Sequence, residues 1–292
     1  MNAPSAGLVI VDKPSGWTSH DVVARVRQLA GTRRVGHAGT LDPMATGVLV
    51  IGVDKATRLL GHLALAQKAY SGTIRLGQAT STDDAEGEIV SSTAAGHLGD
   101  DELRTAVSAL TGHIRQLPPS VSAVKVAGVR AYRAARAGKS VALQPRDVTV
   151  QEFEIVAIQR TGSVIDADVR VTCSSGTYIR ALARDLGTAL GVGGHLTSLR
   201  RTRAGRYGLA QARTLDELAG SFAVLPLAEA AAAEFPRRDV TTEEAERVAH
   251  GAALPATGLG PGPVAVFGPG GELLALVEEQ LGRARPLVVF VP

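Results

Sequence analysis

From Leu8 onward, stretches with the two-residue period of strands and stretches with the 3.6-residue period of helices follow one another without regular strand–helix–strand alternation. Repeated crossover units, which build doubly wound parallel sheets, are therefore not the plan of this chain. The order predicts an α+β domain with a mixed, mostly antiparallel sheet flanked by helices. Leu8 to Val11 reads as a short buried strand stopped by "DKPSG". "TSHDVVARVRQLAG" reads as a helix: Thr18 or Ser19 caps it, Asp21 suits its first turn, Val22, Val23, Val26 and Leu29 form its apolar stripe, and Gly31 ends it. "VLVIGV" returns as a buried strand followed by a short helix, and "KAYSGTIRL" places Tyr70, Gly72, Ile74 and Leu76 on one strand face. Further helices are expected over "DDELRTAVSALTG", ending at Gly112, over the basic "VRAYRAARAG", ending at Gly138, and over "GTYIRALARDLGTALG". Val148 to Ile158 and Val164 to Cys173 read as neighbouring strands.

The composition shifts near "PLAEAAAAEFPRRD". A short helix with a Thr241–Glu244 capping pattern follows, then Gly- and Pro-rich turns and strands at "VAVF", "LLALVE" and "PLVVFV", the first two forming a hairpin around "GPGG". This divides the chain into a large domain, residues 1–233, and a small β-rich domain, residues 234–292. Aromatics are only 3% of the residues, so the core must be built from Val, Leu, Ile and Ala.

Several function classes fall away. No apolar run approaches the roughly 18–20 residues of a membrane span, and the first residues do not read as a secretory signal. The one cysteine, Cys173, excludes an internal disulfide and a cysteine-based zinc site, and reads as a small buried hydrophobe. These features suit a reducing cytoplasm. The histidines are scattered, no Walker loop or GxGxxG follows a strand, and "SSG" is not the nucleophile elbow GxSxG. The net charge is +3, but five lysines leave 26 of the 31 basic residues as arginine, the better fork for phosphate. They cluster at Arg25, Arg27, Arg33 and Arg34, at Arg130, Arg133, Arg136 and Lys139, and at Arg200, Arg201, Arg203 and Arg206. One cluster reads as a solvated face. Three on a nearly balanced chain suggest a footprint for nucleic-acid phosphates.

One carboxylate stands apart. Asp42 lies in "GHAGTLDPMATG" with no charged neighbour for four residues on either side. As Asp-Pro it is a turn former. Leu41, Pro43 and Met44 would also wall it with apolar surface, while Gly36, Gly39 and Gly47 admit a close approach. An acid so placed serves as nucleophile or base and wants a cation, which Arg180 at the start of a helix can supply. Arg180 alone also reads as an exposed helical arginine, and Tyr70 as core packing.

At these residues the chain resembles the TruB family of tRNA pseudouridine synthases, whose loop reads GH-x-G-x-LDP-x-A-x-G. "VDKPSGWTSHDVV", "KAYSGTIRLGQATSTDDAEGEIV", "PPSVSAVKVAGVRAYRAARAG" and "CSSGTYIRALARDLGTALGVGGHLTSLRRTRAGRY" resemble further segments of that family in the same order, across roughly residues 8 to 215. The last 60 or so resemble its PUA-type RNA-binding module more weakly. Glu86 stands where an aspartate is more usual. The resemblance implies the pseudouridine synthase fold and isomerisation of uridine to pseudouridine at position 55 of the tRNA T-loop, on a flipped-out base and without cofactor or metal. It implies that Asp42 is the catalytic aspartate, that Arg180 pairs with it, and that Tyr70 stacks on the uracil. Leu199 would line the uracil pocket and His37 the RNA-facing side. Lys13, Arg33, Arg34, Asp84, Lys125, Arg200 and Arg201 would contact substrate or RNA. The enzyme is expected to act as a monomer, with no guide RNA, protein partner or membrane. Two further classes stand beside it: a module that binds and remodels tRNA, which is also an expected additional role, and a carboxylate glycosidase. The second needs another catalytic acid, and Asp83, Asp84 and Glu86 read as surface.

Overall fold

The computed structural model describes residues 6–121, 125–126, 129–130 and 143–291. Strand β1 (Gly7–Lys13) leads into helix α1 (Ser19–Ala30), then strands β2 (Val35–Ala38) and β3 (Thr46–Val53). Thr18 and Asp21 form a reciprocal capping box at the start of α1, and Gly31 ends it at φ 63°, the left-handed conformation that glycine adopts without strain. Val22, Val23 and Val26 are buried, as the apolar stripe requires. The loop expected around the Asp42 motif is shorter than the sequence suggests: Val35–Ala38 pairs antiparallel with β3, placing His37 opposite Ile51. Four residues are too few to carry a strand pattern of their own, and the ladder of β3 makes this one. A 3₁₀ turn (Asp54–Leu59) and the single-turn helix α2 (Leu60–Leu63) follow.

Next come β4 (Lys68–Leu76), the ribbon of β5 (Gln78–Thr80) with β6 (Ile89–Ser92), helix α3 (Asp100–Ala109) and β7 (Gly112–Gln116). The helix expected to reach Gly112 stops at Ala109. Gly112 has φ 98°, which no helix accommodates, and it opens β7 instead. β8 (Lys125–Val126) pairs with β9 (Val129–Arg130), so the first two residues of the expected basic helix are strand. The rest of that helix, with Arg133, Arg136 and Lys139, lies outside the described residues. β10 (Arg146–Thr161), β11 (Val164–Cys173), helix α4 (Ile179–Ala189) and β12 (Gly194–Ala204) complete this stretch. The strands run in the order β12-β4-β11-β10-β7. β4–β11, β11–β10 and β10–β7 are antiparallel, and Tyr70 faces Val171 across the ladder.

The C-terminal stretch holds β13 (Tyr207–Gly208), α5 (Leu215–Gly220), β14 (Leu225–Pro226), α6 (Leu227–Glu234), β15 (Arg237–Asp239), α7 (Thr242–Ala249), β16 (Leu254–Pro255), β17 (Pro263–Phe267), β18 (Leu273–Gln280) and β19 (Arg283–Val289). The expected hairpin around "GPGG" joins β17 to β18, closed by Gly268 N–H donating to Glu272 O at 3.0 Å. Five strands form a sheet in the order β15-β17-β18-β19-β16, with β15 parallel to β17 and the other pairs antiparallel. The architecture is thus α+β with mixed sheets, as the segment order implied.

Packing divides the chain into two units. One holds the residues up to Pro43, Gly47–Leu65 and Ala204 onward. The other holds Met44–Thr46 and Ala66–Arg203. In the first unit β1 pairs antiparallel with β3 and β14. Leu8, Ile10, Val48 and Val50 of β1 and β3 share a core with Phe267, Leu273, Leu276 and Phe290 of the C-terminal stretch. A second cluster, around Val248, Val264, Val266 and Val277, lies between α7 and the five-stranded sheet. The expected boundary at 233/234 falls at the end of α6. Among the described residues no helix is long and apolar enough to cross a membrane.

Candidate active site

In the first unit, Asp42 sits half-buried on the loop between β2 and β3, and both of its neighbours are clamped. Ser19, buried in the first turn of α1, accepts from the Leu41 N–H at 2.9 Å and donates to the Leu41 carbonyl at 3.2 Å. On the other side Gly16 N–H donates to the Pro43 carbonyl at 2.9 Å. Lys13 reaches the same carbonyl at 3.0 Å, together with those of Trp17 at 2.6 Å and Pro14 at 2.9 Å. A buried ammonium needs its three donors satisfied, and these carbonyls do so. Lys13 is 0% exposed. The expectation that it contacts RNA is therefore corrected: its charge is spent on holding backbone. The "DKPSG…TS" stretch and the Asp42 loop form one braced corner, which fixes the backbone on both sides of Asp42.

His37 is half-buried on β2, its ring meeting that of His20 edge-on at 5.7 Å between centroids. Arg33 and Arg34 are exposed in the connection from α1 to β2. Arg34 lies 3.4 Å from Asp54 with three quarters of its side chain in solvent, a pair worth little to stability.

In the second unit, Tyr70 and Gly72 lie on one face of β4, and Tyr70 is buried. A Cβ added to Gly72 would stand 2.6 Å from the Ser198 carbonyl oxygen and 3.4 Å from Leu199 Cδ1. Glycine here lets the backbone of β12 approach β4 closely. Leu199 is buried. Arg200 is half-buried and donates to Thr46 Oγ1 at 3.2 Å. Arg201 is 1% exposed, so the neighbouring expectation of an RNA contact is corrected: alternation along β12 turns it into the core. Lys125 lies in β8, and its side chain is outside the described residues.

Arg180 is buried in the first turn of α4. Its Nε lies 3.4 Å from Asp84 Oδ2, and it donates to the carbonyls of Thr82 at 2.9 Å and Val121 at 3.0 Å. Asp84 is 3% exposed, and it also accepts from Thr82 Oγ1 and from Glu86 N–H. Two expectations change here. Asp84 is neither a surface acid nor a substrate-facing one, because an acid this deep needs the guanidinium and the two donors it has. One turn along α4, Arg184 repeats the arrangement: it donates to Asp83 Oδ2 at 3.2 Å and to the Leu117 carbonyl at 2.7 Å. Burial pushes the Asp83 carboxyl up from its ordinary range, against the pull of Arg184 and Arg180. Gln116 completes the frame. It is 2% exposed, donates to the Tyr178 carbonyl at 3.0 Å and accepts from the Tyr178 N–H at 2.8 Å, just where α4 begins without a side-chain cap. The sequence carries a signal for this lattice: adjacent acids at 83 and 84 match arginines four residues apart on one helix face. Gln116 had no signal.

Lys68 is buried at the start of β4, and burial first, then the charge of Arg201, pushes its ammonium down to about 8. Cys173, its ladder partner, is a buried thiol pushed up by burial to about 11, as the small-hydrophobe reading requires. Among the described residues no group of three or more His, Cys, Asp or Glu is placed to hold a metal ion.

The chain matches the family model described as "TruB family pseudouridylate synthase (N terminal domain)" over residues 27–179. It belongs to the TruB family. Residues 180–232 match the family's "tRNA pseudouridylate synthase B C-terminal domain", and residues 235–291 match "tRNA Pseudouridine synthase II, C terminal". Proteins named tRNA pseudouridine synthase B from Thermobifida fusca and Streptomyces avermitilis are 62% and 60% identical to it, covering 97% of this chain and 98% and 97% of theirs. One from Mycobacterium bovis is 55% identical over 100% of this chain and 98% of its own. Among solved structures, a chain of a Cbf5–Nop10–Gar1 complex superposes with a TM-score of 0.77 at 28% identity, over 99% of this chain and 86% of that one. A chain from an H/ACA RNP bound to a substrate RNA containing 2′-deoxyuridine gives 0.74 at 26%, over 98% and 85%. The pseudouridine synthase fold is thereby established, and the chain is an enzyme, an isomerase of the pseudouridine synthase class.

Proposed function

We propose that this enzyme converts uridine to pseudouridine in tRNA, at position 55 of the T-loop, with Asp42 as its one nucleophile. What carries the reading is the agreement of two things: full-length relatives named tRNA pseudouridine synthase B at up to 62% identity, and a carboxylate set apart from other charges along the sequence and held between two clamped residues. The reaction breaks the bond from N1 of uracil to C1′ of ribose and makes one from C5 to C1′. The C5 proton leaves to solvent and N1 gains one, so no redox partner or cofactor is called for. Asp42 starts it by attacking either the base or the sugar. Both routes need an ionised carboxylate in place and a uridine extruded from its stack. Arg180 serves as the countercharge of the reacting site, Tyr70 stacks on the uracil, Leu199 walls it, and His37 supports the displaced loop.

Arg33, Arg34, Arg200 and Lys125 supply phosphate contacts, and the C-terminal sheet with residues 234–292 adds RNA-binding surface. The enzyme acts alone, as a monomer in the cytoplasm, without the guide RNA or protein partners of a ribonucleoprotein. Remodelling of tRNA is a separable activity of the same chain.

The test is tritium release from tRNA transcript labelled at uridine C5. Wild type should release the label of one uridine per tRNA, and Asp42→Asn should release none while still binding. A wild-type protein that binds tRNA and releases nothing leaves only the remodelling role standing. An active Asp42→Asn enzyme removes Asp42 from the chemistry.

A further inference from the structure

Trp17 is the only tryptophan of the chain, and 38% of it is exposed. Its backbone is not loose. The Trp17 carbonyl accepts from Lys13 Nζ at 2.6 Å, and the same ammonium holds the carbonyl of Pro43, the residue after Asp42. The ring is therefore carried by the same braced corner as the carboxylate.

Beside it lies a groove of about 380 Å³ lined by Gly16, Trp17, Asp21, Ala24, Arg25 and Gln28. The four residues from α1 recur at helical spacing and form its floor. Apart from the indole and Ala24 the lining is polar or open backbone, so the groove does not suit an apolar peptide side chain. It offers a π-face, a guanidinium, an amide and a carboxylate. Arg25 Nη1 donates to Gln28 Oε1 at 3.2 Å, which couples these two side chains. Asp21 receives the N–H and hydroxyl of Thr18 at 2.8 and 2.7 Å, and these bonds hold its carboxyl below the usual range. A fixed negative charge one helical turn from the arginine disfavours a phosphate. It suits a flat neutral group whose edge carries both donors and acceptors.

We propose that this groove binds an unpaired nucleobase of the RNA substrate, stacked on Trp17 and held at its edge by Asp21, Arg25 and Gln28. The proposal rests on the pseudouridine synthase reading, because extruding one base from a folded loop leaves neighbouring bases without a stacking partner. With a carboxylate as acceptor, bases bearing an exocyclic amine are favoured over uracil.

A sole tryptophan makes the test direct. T stem-loop RNA is titrated into the full-length Asp42→Asn protein, and indole fluorescence is followed beside filter binding of the same mixture. Fluorescence should be quenched and should saturate together with binding. In the enzyme with Asp42 intact, Trp17→Ala should raise KM for the RNA about tenfold, with the change falling on KM rather than kcat, and Trp17→Phe should recover most of it. Binding without a fluorescence change overturns the proposal, and so does an unaltered KM in Trp17→Ala. The fluorescence readout on the otherwise wild-type ring does not depend on how well Trp17→Ala folds. A wild-type enzyme that forms no pseudouridine defeats the functional reading itself. An active enzyme with an unresponsive Trp17 defeats only the groove.

Discussion

The buried pair of Arg180 and Asp84 gives a prediction whose size follows from its surroundings. Both side chains are 5% exposed and 3.4 Å apart. Asp84→Asn keeps the shape, and the amide oxygen still accepts from Thr82 and the Glu86 N–H, but the negative charge is gone. Removing one partner of a buried pair costs about 3–5 kcal/mol, because the other charge is stranded. Here the guanidinium keeps its other partners, the Thr82 and Val121 carbonyls at 2.9 and 3.0 Å among them, which places the loss at the low end, about 3 kcal/mol. For a chain of this size roughly 2 °C of Tm is lost per kcal/mol, so the melting temperature should fall by about 6 °C. Thermal unfolding followed by circular dichroism measures it. A double-mutant cycle with Arg180→Met isolates the pair and should return a coupling of about 2 kcal/mol or more. A drop below about 1 °C together with a coupling near zero would show that α4 and the loop of Asp84 are held by something other than this pair.

Two further outcomes are expected. Gly72→Ala pushes a methyl to 2.6 Å from the Ser198 carbonyl oxygen, a backbone atom that yields only if β12 moves off β4. Stability should fall by about 2 kcal/mol, and hydrogen exchange should quicken in β4 and β12; unchanged exchange there would refute the close approach. Lys68 has a native pKa of about 8, lowered mainly by burial from its ordinary 10.5. Below about pH 8 both folded and unfolded chains carry its proton and the burial cost is full. Between about 8 and 10.5 only the unfolded chain keeps the proton, so native stability should rise with pH relative to Lys68→Met, by roughly 3 kcal/mol in all. Urea midpoints at pH 7 and pH 10 check the sign, and a difference that stays flat contradicts it.

Local rules made much of the fold legible. The capping pattern and terminal glycine of α1 give the helix its ends, and the alternation of "KAYSGTIRL" gives β4 its span and its buried face. These are contacts between residues a few positions apart, so the sequence displays both partners side by side. β2 escaped because its partner β3 creates it, and β7 because Gly112 starts a strand as readily as it ends a helix.

The same division runs through the site. The isolation of Asp42 among apolar residues and glycines is visible in "GHAGTLDPMATG", and so is the pull of its setting towards chemistry. Which charges face outward is not visible. Lys13, Asp84 and Arg201 look like surface groups when read along the chain, yet they are buried at 0%, 3% and 1%. Lys13 is satisfied by three carbonyls, one of them 30 residues away, and Asp84 by an arginine nearly a hundred residues on. Charge can be buried only where distant segments supply its partners, and sequence order does not say which segments meet. By itself, then, the chain determined its local elements, its family and the isolation of Asp42 from other charges along the sequence. Tertiary structure alone decided which of its charges stay exposed and which are buried among partners supplied by distant segments.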